Sequence, residues 1–160
     1  MFHIVPIMML APVLIAVAYF DLRYMRIPNA LSLIAIVILA TSALVFPPTD
    51  LTGRFGITIL VFAVGMVAFA FRMIGGGDVK MLSVVVLAIP VDGIVVFANV
   101  FSASMILGIL LVLAARRIPA TSRWGWKSFG GSQKFPMGLS IALSGLAFPV
   151  IALALQSHQS

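Results

Sequence analysis

The feature that constrains this chain most is how little polar sequence separates its apolar runs. From Ile4 to Leu155 hydrophobic stretches follow one another, with short polar gaps and one longer gap at Arg116–Phe135. A transmembrane helix needs about 20 predominantly apolar residues, with a range of about 17–25. Inside a bilayer every backbone N–H and C=O must be satisfied internally, so runs of this kind fold as helices. Of the 160 residues 62% are hydrophobic and 9% charged, and the mean hydropathy is +1.23. A soluble domain would carry about 25% charged residues. The expectation is therefore an all-α, polytopic membrane protein, a single domain over 1–160 with no separate soluble part.

Six spans are expected. The first is Ile4–Phe20, ending at Asp21, and the second is Ala30–Phe46, entered through Ile27-Pro28-Asn29 and closed by Pro47-Pro48. The third is Phe55–Phe71. After Gly75-Gly76-Gly77-Asp78 the apolar run Met81–Ala115 is too long for one span, and Pro90-Val91-Asp92-Gly93 marks a turn within it. That divides it into a short fourth helix, Val79–Ile89, and a fifth, Ile94–Ala115; the sixth is Pro136–Leu155. Eleven residues reach only about 17 Å, against about 30 Å of hydrocarbon. The fourth helix is thus expected either to continue through Pro90 or to start part-way into the membrane, its glycine turn lining a cavity. The N-terminus carries no Lys or Arg before its apolar run and no small-x-small cleavage pattern, so that run reads as a retained helix.

Charge bias orients this arrangement. With both termini outside, the inner loops hold Arg23, Arg26, Arg72, Lys80, Arg116, Arg117, Arg123, Lys127 and Lys134, nine of the ten basic residues, and the outer loops hold Arg54 with Asp50 and Asp92. This follows the positive-inside rule. The net charge of +6 is then explained by loops that meet anionic lipid, and no nucleic-acid partner is expected. Trp124, Trp126 and Phe129 interleave with Arg123 and Lys127, as an interfacial aromatic belt does; a substrate-contacting amphipathic segment is the alternative.

The absence of cysteine excludes disulfides and thiolate metal sites, and the two histidines, His3 and His158, lie near the termini. No metal and no cofactor is expected. Carboxylates are few: Asp21, Asp50, Asp78 and Asp92, with no glutamate. Asp50 and Asp92 look like outer-surface turn residues. Asp21 and Asp78 each abut a hydrophobic span on the inner side, and ionisable groups at membrane depth are functional candidates by default. Two carboxylates within a few ångströms cannot both ionise easily and share a proton. One then acts as base on water while the other protonates a carbonyl oxygen or a leaving amine, which is how peptides are hydrolysed without a metal. Among serines only a Ser83–Lys80 dyad competes. The three glycines before Asp78 would let the backbone approach closely and adopt positive φ, so that an extended substrate pairs beside the carboxylate. Gly-x4-Gly-Lys-Ser/Thr is absent, which argues against nucleotide binding.

Gly75-Gly76-Gly77-Asp78-Val79-Lys80-Met81 resembles the GxGDxKL motif of the type IV prepilin peptidases, within the GxGD intramembrane aspartic proteases. Phe20-Asp21-Leu22-Arg23-Tyr24-Met25-Arg26-Ile27-Pro28-Asn29 is similar to that family's first motif, and Phe135-Pro136-Met137-Gly138 to its Pro-x-Gly element. The resemblance implies an aspartic endopeptidase with Asp21 and Asp78 as the catalytic pair. It also implies substrate contacts at Gly75, Gly76, Gly77, Lys80, Pro136 and Gly138. The implied substrate is the basic leader of a prepilin or pseudopilin, cut after a glycine on the cytoplasmic side of the bacterial inner membrane. Larger relatives carry a cytosolic insertion and methylate the new N-terminus; this chain lacks the insertion, so peptidase activity alone is expected. It looks most like the compact enzymes of tight-adherence (Flp-type) pilus systems, and Asn29 stands where many relatives have a third aspartate. The rival readings are a non-enzymatic transporter or proton-coupled channel, since aspartate pairs also relay protons, and a presenilin-type protease, whose Pro-Ala-Leu motif is absent.

Overall fold

The computed structural model describes residues 4–118, Trp126, Ser128 and 135–157. Among these are seven α-helices and no strand: α1 (Val5–Met9), α2 (Ala11–Tyr24), α3 (Asn29–Val45), α4 (Leu51–Ala70), α5 (Gly76–Ala88), α6 (Ile94–Arg116) and α7 (Met137–Ser157). A 3-10 turn at Val91–Gly93 joins α5 to α6. By length and composition α4, α7 and the segment Val91–Arg116 suffice to cross a membrane, and α3 is a shorter apolar helix.

The first run departs from expectation in two ways. It is broken at Leu10, because Pro12 has no N–H to give the Met8 carbonyl; the Leu10 N–H turns to the Ile7 carbonyl at 3.2 Å instead. It also continues to Tyr24, so Asp21 lies within α2 rather than ending it. Met25 then adopts a left-handed conformation, φ 53°, and its N–H closes the helix on the Asp21 carbonyl at 2.8 Å. Arg26 to Pro28 run without helical structure, and Pro28 precedes the first residue of α3.

The short fourth helix is explained by its surroundings. Thirteen residues of α5 reach about 20 Å at about 1.5 Å each, yet α5 lies between α3, α4 and α7 and buries Val79, Met81, Ser83, Val84, Val85, Val86 and Ala88. Protein, rather than lipid, encloses it. Ile89 is extended before Pro90, which ends the helix. Outside it, α4 packs on α5 and buries only Arg54, while α6 packs on α7.

The seams are antiparallel and use small residues for close approach, as membrane helices do. A Cβ on Gly65 of α4 would stand 2.7 Å from Val79 of α5, one on Gly145 of α7 2.7 Å from Leu14 of α2, and one on Gly108 of α6 2.8 Å from the Ser140 hydroxyl of α7. Leu10, Leu14, Val17, Met81, Val85, Ile141 and Phe148 form the centre of the core. These registers bring the C-terminal ends of α2 and α4 to the same end of the bundle as the N-terminal ends of α5 and α7.

Asp50 and Arg54 occupy the opposite end. Asp50 is not a free surface turn residue. Its Oδ1 receives the Arg54 Nε–H at 2.6 Å and its Oδ2 the Val91 N–H at 2.8 Å, while Arg54 Nη1 donates to the Ala88 carbonyl at 3.2 Å. Arg54 is 3% exposed. This staple ties the start of α4 to the end of α5. Asp92 does lie exposed in the 3-10 turn.

Candidate active site

Asp21 and Asp78 come from different helices, α2 and α5, and stand at the same end of the bundle, where Ile27 packs against Gly77 beside one and Gly138 beside the other. Asp21 sits in the last turn of α2 and is 4% exposed. Its Oδ2 accepts the Leu139 N–H at 3.3 Å. That amide belongs to the first turn of α7, where N–H groups have no partner inside the helix and the helix dipole favours an anion. Asp21 thus caps a helix from across the bundle.

Asp78 caps its own helix. It stands in the first turn of α5, and its Oδ2 accepts the Gly75 N–H at 3.2 Å. Its Oδ1 is buried with no hydrogen-bond partner among the described residues. The helix therefore starts at Gly76, three residues earlier than expected, and Asp78 is not in a loop. No residue of Gly75–Gly77 has the expected positive φ; Gly75 is extended, φ −81° and ψ 144°. The glycines act by proximity. A Cβ on Gly75 would stand 2.6 Å from Asp78 Oδ2, and one on Gly77 would stand 3.1 Å from the Ile27 carbonyl oxygen and 3.2 Å from Ile27 Cβ. Gly76 faces the Phe69 ring.

The Pro136–Gly138 element closes the other side. Pro136 is fully buried and Met137 opens α7. A Cβ on Gly138 would meet Asp21 Oδ2 at 2.8 Å, Asp21 Cγ at 2.9 Å and Ile27 Cδ1 at 2.9 Å. Lys80 is exposed and does not reach Ser83: its Nζ donates to Asn29 Oδ1 at 3.1 Å, whereas the Ser83 hydroxyl donates to the Val79 carbonyl at 2.8 Å. The serine–lysine alternative has no geometry to support it.

Two features were missed in the sequence. Ile27 carries no chemistry that a sequence reveals, yet it packs against the backbone beside both carboxylates. Ser128 is one small polar residue in a polar loop, yet its hydroxyl donates to the Leu22 carbonyl at 2.5 Å and its carbonyl accepts from Arg116 Nε at 2.9 Å. It ties the long loop to the residue after Asp21. Trp126 packs edge-on against Tyr19, with ring centroids 6.1 Å apart. Arg23 lies over the rings of Tyr19 and Tyr24. Trp124, Phe129, Arg123, Lys127 and Lys134 lie outside the described residues.

The arrangement offers one buried carboxylate, Asp21, and one half-buried carboxylate, Asp78, each with one oxygen held by a backbone amide, at one end of a helical bundle. The sequence model of the type IV leader peptidase family matches residues 8–113, which takes in both aspartates. No curated protein and no solved structure matches the chain.

Proposed function

The chain belongs to the type IV leader peptidase family, and from that premise we propose that it is an aspartic endopeptidase using Asp21 and Asp78. The observation that carries the reading is that these two carboxylates, from helices far apart in sequence, stand at the same end of the bundle, each with one oxygen held on a helix N-terminal amide and with Ile27 packed against the backbone beside both. One carboxylate takes a proton from water, whose oxygen attacks the scissile carbonyl carbon. The other, protonated, gives its proton to the carbonyl oxygen. The tetrahedral intermediate then collapses, the C–N bond breaks, and the amine leaves with a proton returned from the pair. The unpartnered Asp78 Oδ1 is the group best placed to hold the water.

The substrate under this reading is a prepilin or pseudopilin, cut on the cytoplasmic side of a bacterial inner membrane, with peptidase activity and no methyl transfer. A six-span topology with both termini outside goes with it, because it gathers the basic loops at the dyad end. Gly75, Gly76, Gly77, Lys80, Pro136 and Gly138 are proposed as the substrate-facing surroundings. The family match favours a peptidase over a transporter or channel. Asp21→Asn and Asp78→Asn test the dyad: each is expected to lower leader cleavage in membranes by at least about 100-fold, the lower end of what a positioned acid or base contributes. Processing of a co-expressed prepilin by both variants would refute it.

A further inference from the structure

Ile27 stands between the two helix starts that hold the dyad. On one side its Cβ and carbonyl oxygen lie 3.2 and 3.1 Å from where a Gly77 Cβ would be, one residue before Asp78. On the other its Cδ1 lies 2.9 Å from where a Gly138 Cβ would be, a place also 2.8 Å from Asp21 Oδ2. The side chain spans from the backbone of α5 to the backbone of α7 with no space for a methyl group at either end. Its own position is fixed twice over. Behind it, the left-handed Met25 bonds back to the Asp21 carbonyl; ahead of it, Asn29 accepts from Lys80 of α5.

We infer that Ile27 is a positioning residue that gauges the spacing between α5, which carries Asp78, and α7, whose first-turn amide holds Asp21, setting the catalytic geometry through its reach from Gly77 to Gly138. The inference rests on the endopeptidase reading above. A gauge of this kind acts on turnover more than on binding, because a dyad held off its productive geometry still leaves the substrate's remote contacts intact.

The test uses the purified full-length chain in lipid vesicles, with a prepilin whose leader ends in glycine, over a range of substrate concentrations. Ile27→Val removes Cδ1 and leaves the Gly77 contact. Its kcat per folded molecule is expected to fall about tenfold with KM within about twofold. Ile27→Leu restores a terminal methyl group and is expected to regain at least about half of the lost rate. A residue that served only stability would leave kcat per folded molecule unchanged. Wild-type kcat in Ile27→Val, or a loss that Ile27→Leu does not recover, overturns the proposal. If Ile27→Val does not fold, Gly77→Ala presses on the same side chain from the α5 side; a folded Gly77→Ala with wild-type kcat overturns it equally. Asp21→Asn and Asp78→Asn run alongside. Activity in both refutes the endopeptidase reading itself, whereas inactive aspartate variants beside a fully active Ile27→Val refute the gauge alone.

Discussion

Gly138→Ala adds one methyl group where three atoms already stand too near. The new Cβ would lie 2.8 Å from Asp21 Oδ2, 2.9 Å from Asp21 Cγ and 2.9 Å from Ile27 Cδ1. Carbon atoms in ordinary contact sit about 3.5–4.0 Å apart, so the carboxyl must retreat by about 0.6–1 Å. The Leu139 N–H bond to Oδ2, already 3.3 Å long, cannot survive that shift. A misplacement of about 1 Å costs about 100-fold in rate, so kcat/KM should fall about 10- to 100-fold, or about 1.4–2.7 kcal/mol of transition-state stabilisation. Stability should change less. Overpacking costs about 1–3 kcal/mol, and replacing a helical glycine returns up to about 1 kcal/mol. Gly56→Ala is the control, since nothing lies within 4 Å of its Cβ position in α4; it should keep full activity and melt no lower than wild type. Initial rates of leader cleavage at equal amounts of folded protein measure the effect. A folded Gly138→Ala enzyme with wild-type rates would show that Asp21 does not work from this position.

The far end of the bundle should respond in stability rather than chemistry. Asp50→Ala leaves the Arg54 guanidinium buried without its charge partner and should cost about 3 kcal/mol, the lower end for a broken buried pair because Asp50 itself is partly exposed. Burial alone would raise the Asp50 carboxyl, but the Val91 amide and Arg54 hold it below its ordinary value of 3.8. Its contribution is therefore whole above about pH 4 and is lost as pH falls through the lowered value. Thermal unfolding followed against pH should show that acid loss in wild type and a flatter curve in Asp50→Ala; parallel curves would contradict it. At the near end, Asn29→Asp should keep cleavage activity, since Lys80 Nζ at 3.1 Å meets a carboxylate as readily as an amide oxygen. Asn29→Ala should lower it, and equal activity in all three would remove Asn29 from the site.

Much of this fold was legible because lipid leaves so few options. Apolar run length marked α3, α4, α6 and α7 to within a few residues, and Pro90 separated α5 from α6. What periodicity does not carry is which short helix is enclosed. The core position of α5 follows from Gly65 and Val79 meeting across a seam, a relation between distant residues. The break at Leu10 traces to Pro12, whose missing N–H leaves no mark on the uniform hydrophobicity of the run. For the candidate site, an acid-poor composition leaves Asp21 and Asp78 as the carboxylates that abut apolar spans at the inner end. The roles of Asp50 and Arg54 were hidden because a charge at a turn reads as solvated until the backbone it bonds is known. Gly75–Gly77 permit the close contact that their sequence implies, but without left-handed backbone.

The three motifs make physical sense as one interlocking contact. Asp21 and Ile27 are six residues apart, and an uninterrupted helix would carry Ile27 onward, away from the Asp21 carboxyl. The left-handed turn at Met25 reverses that course. A non-glycine residue there costs about 1–2 kcal/mol, offset in part by the 2.8 Å bond from the Met25 N–H to the Asp21 carbonyl. Strain held at such a place persists only where the surroundings over-determine it, and here they do: Gly77 receives the backbone of Ile27, Gly138 receives its tip, and Lys80 holds Asn29. None of these partners lies near Met25 in sequence. The short span from Asp21 to Asn29 thus takes its shape from α5 and α7, and in return bridges their first turns through Ile27.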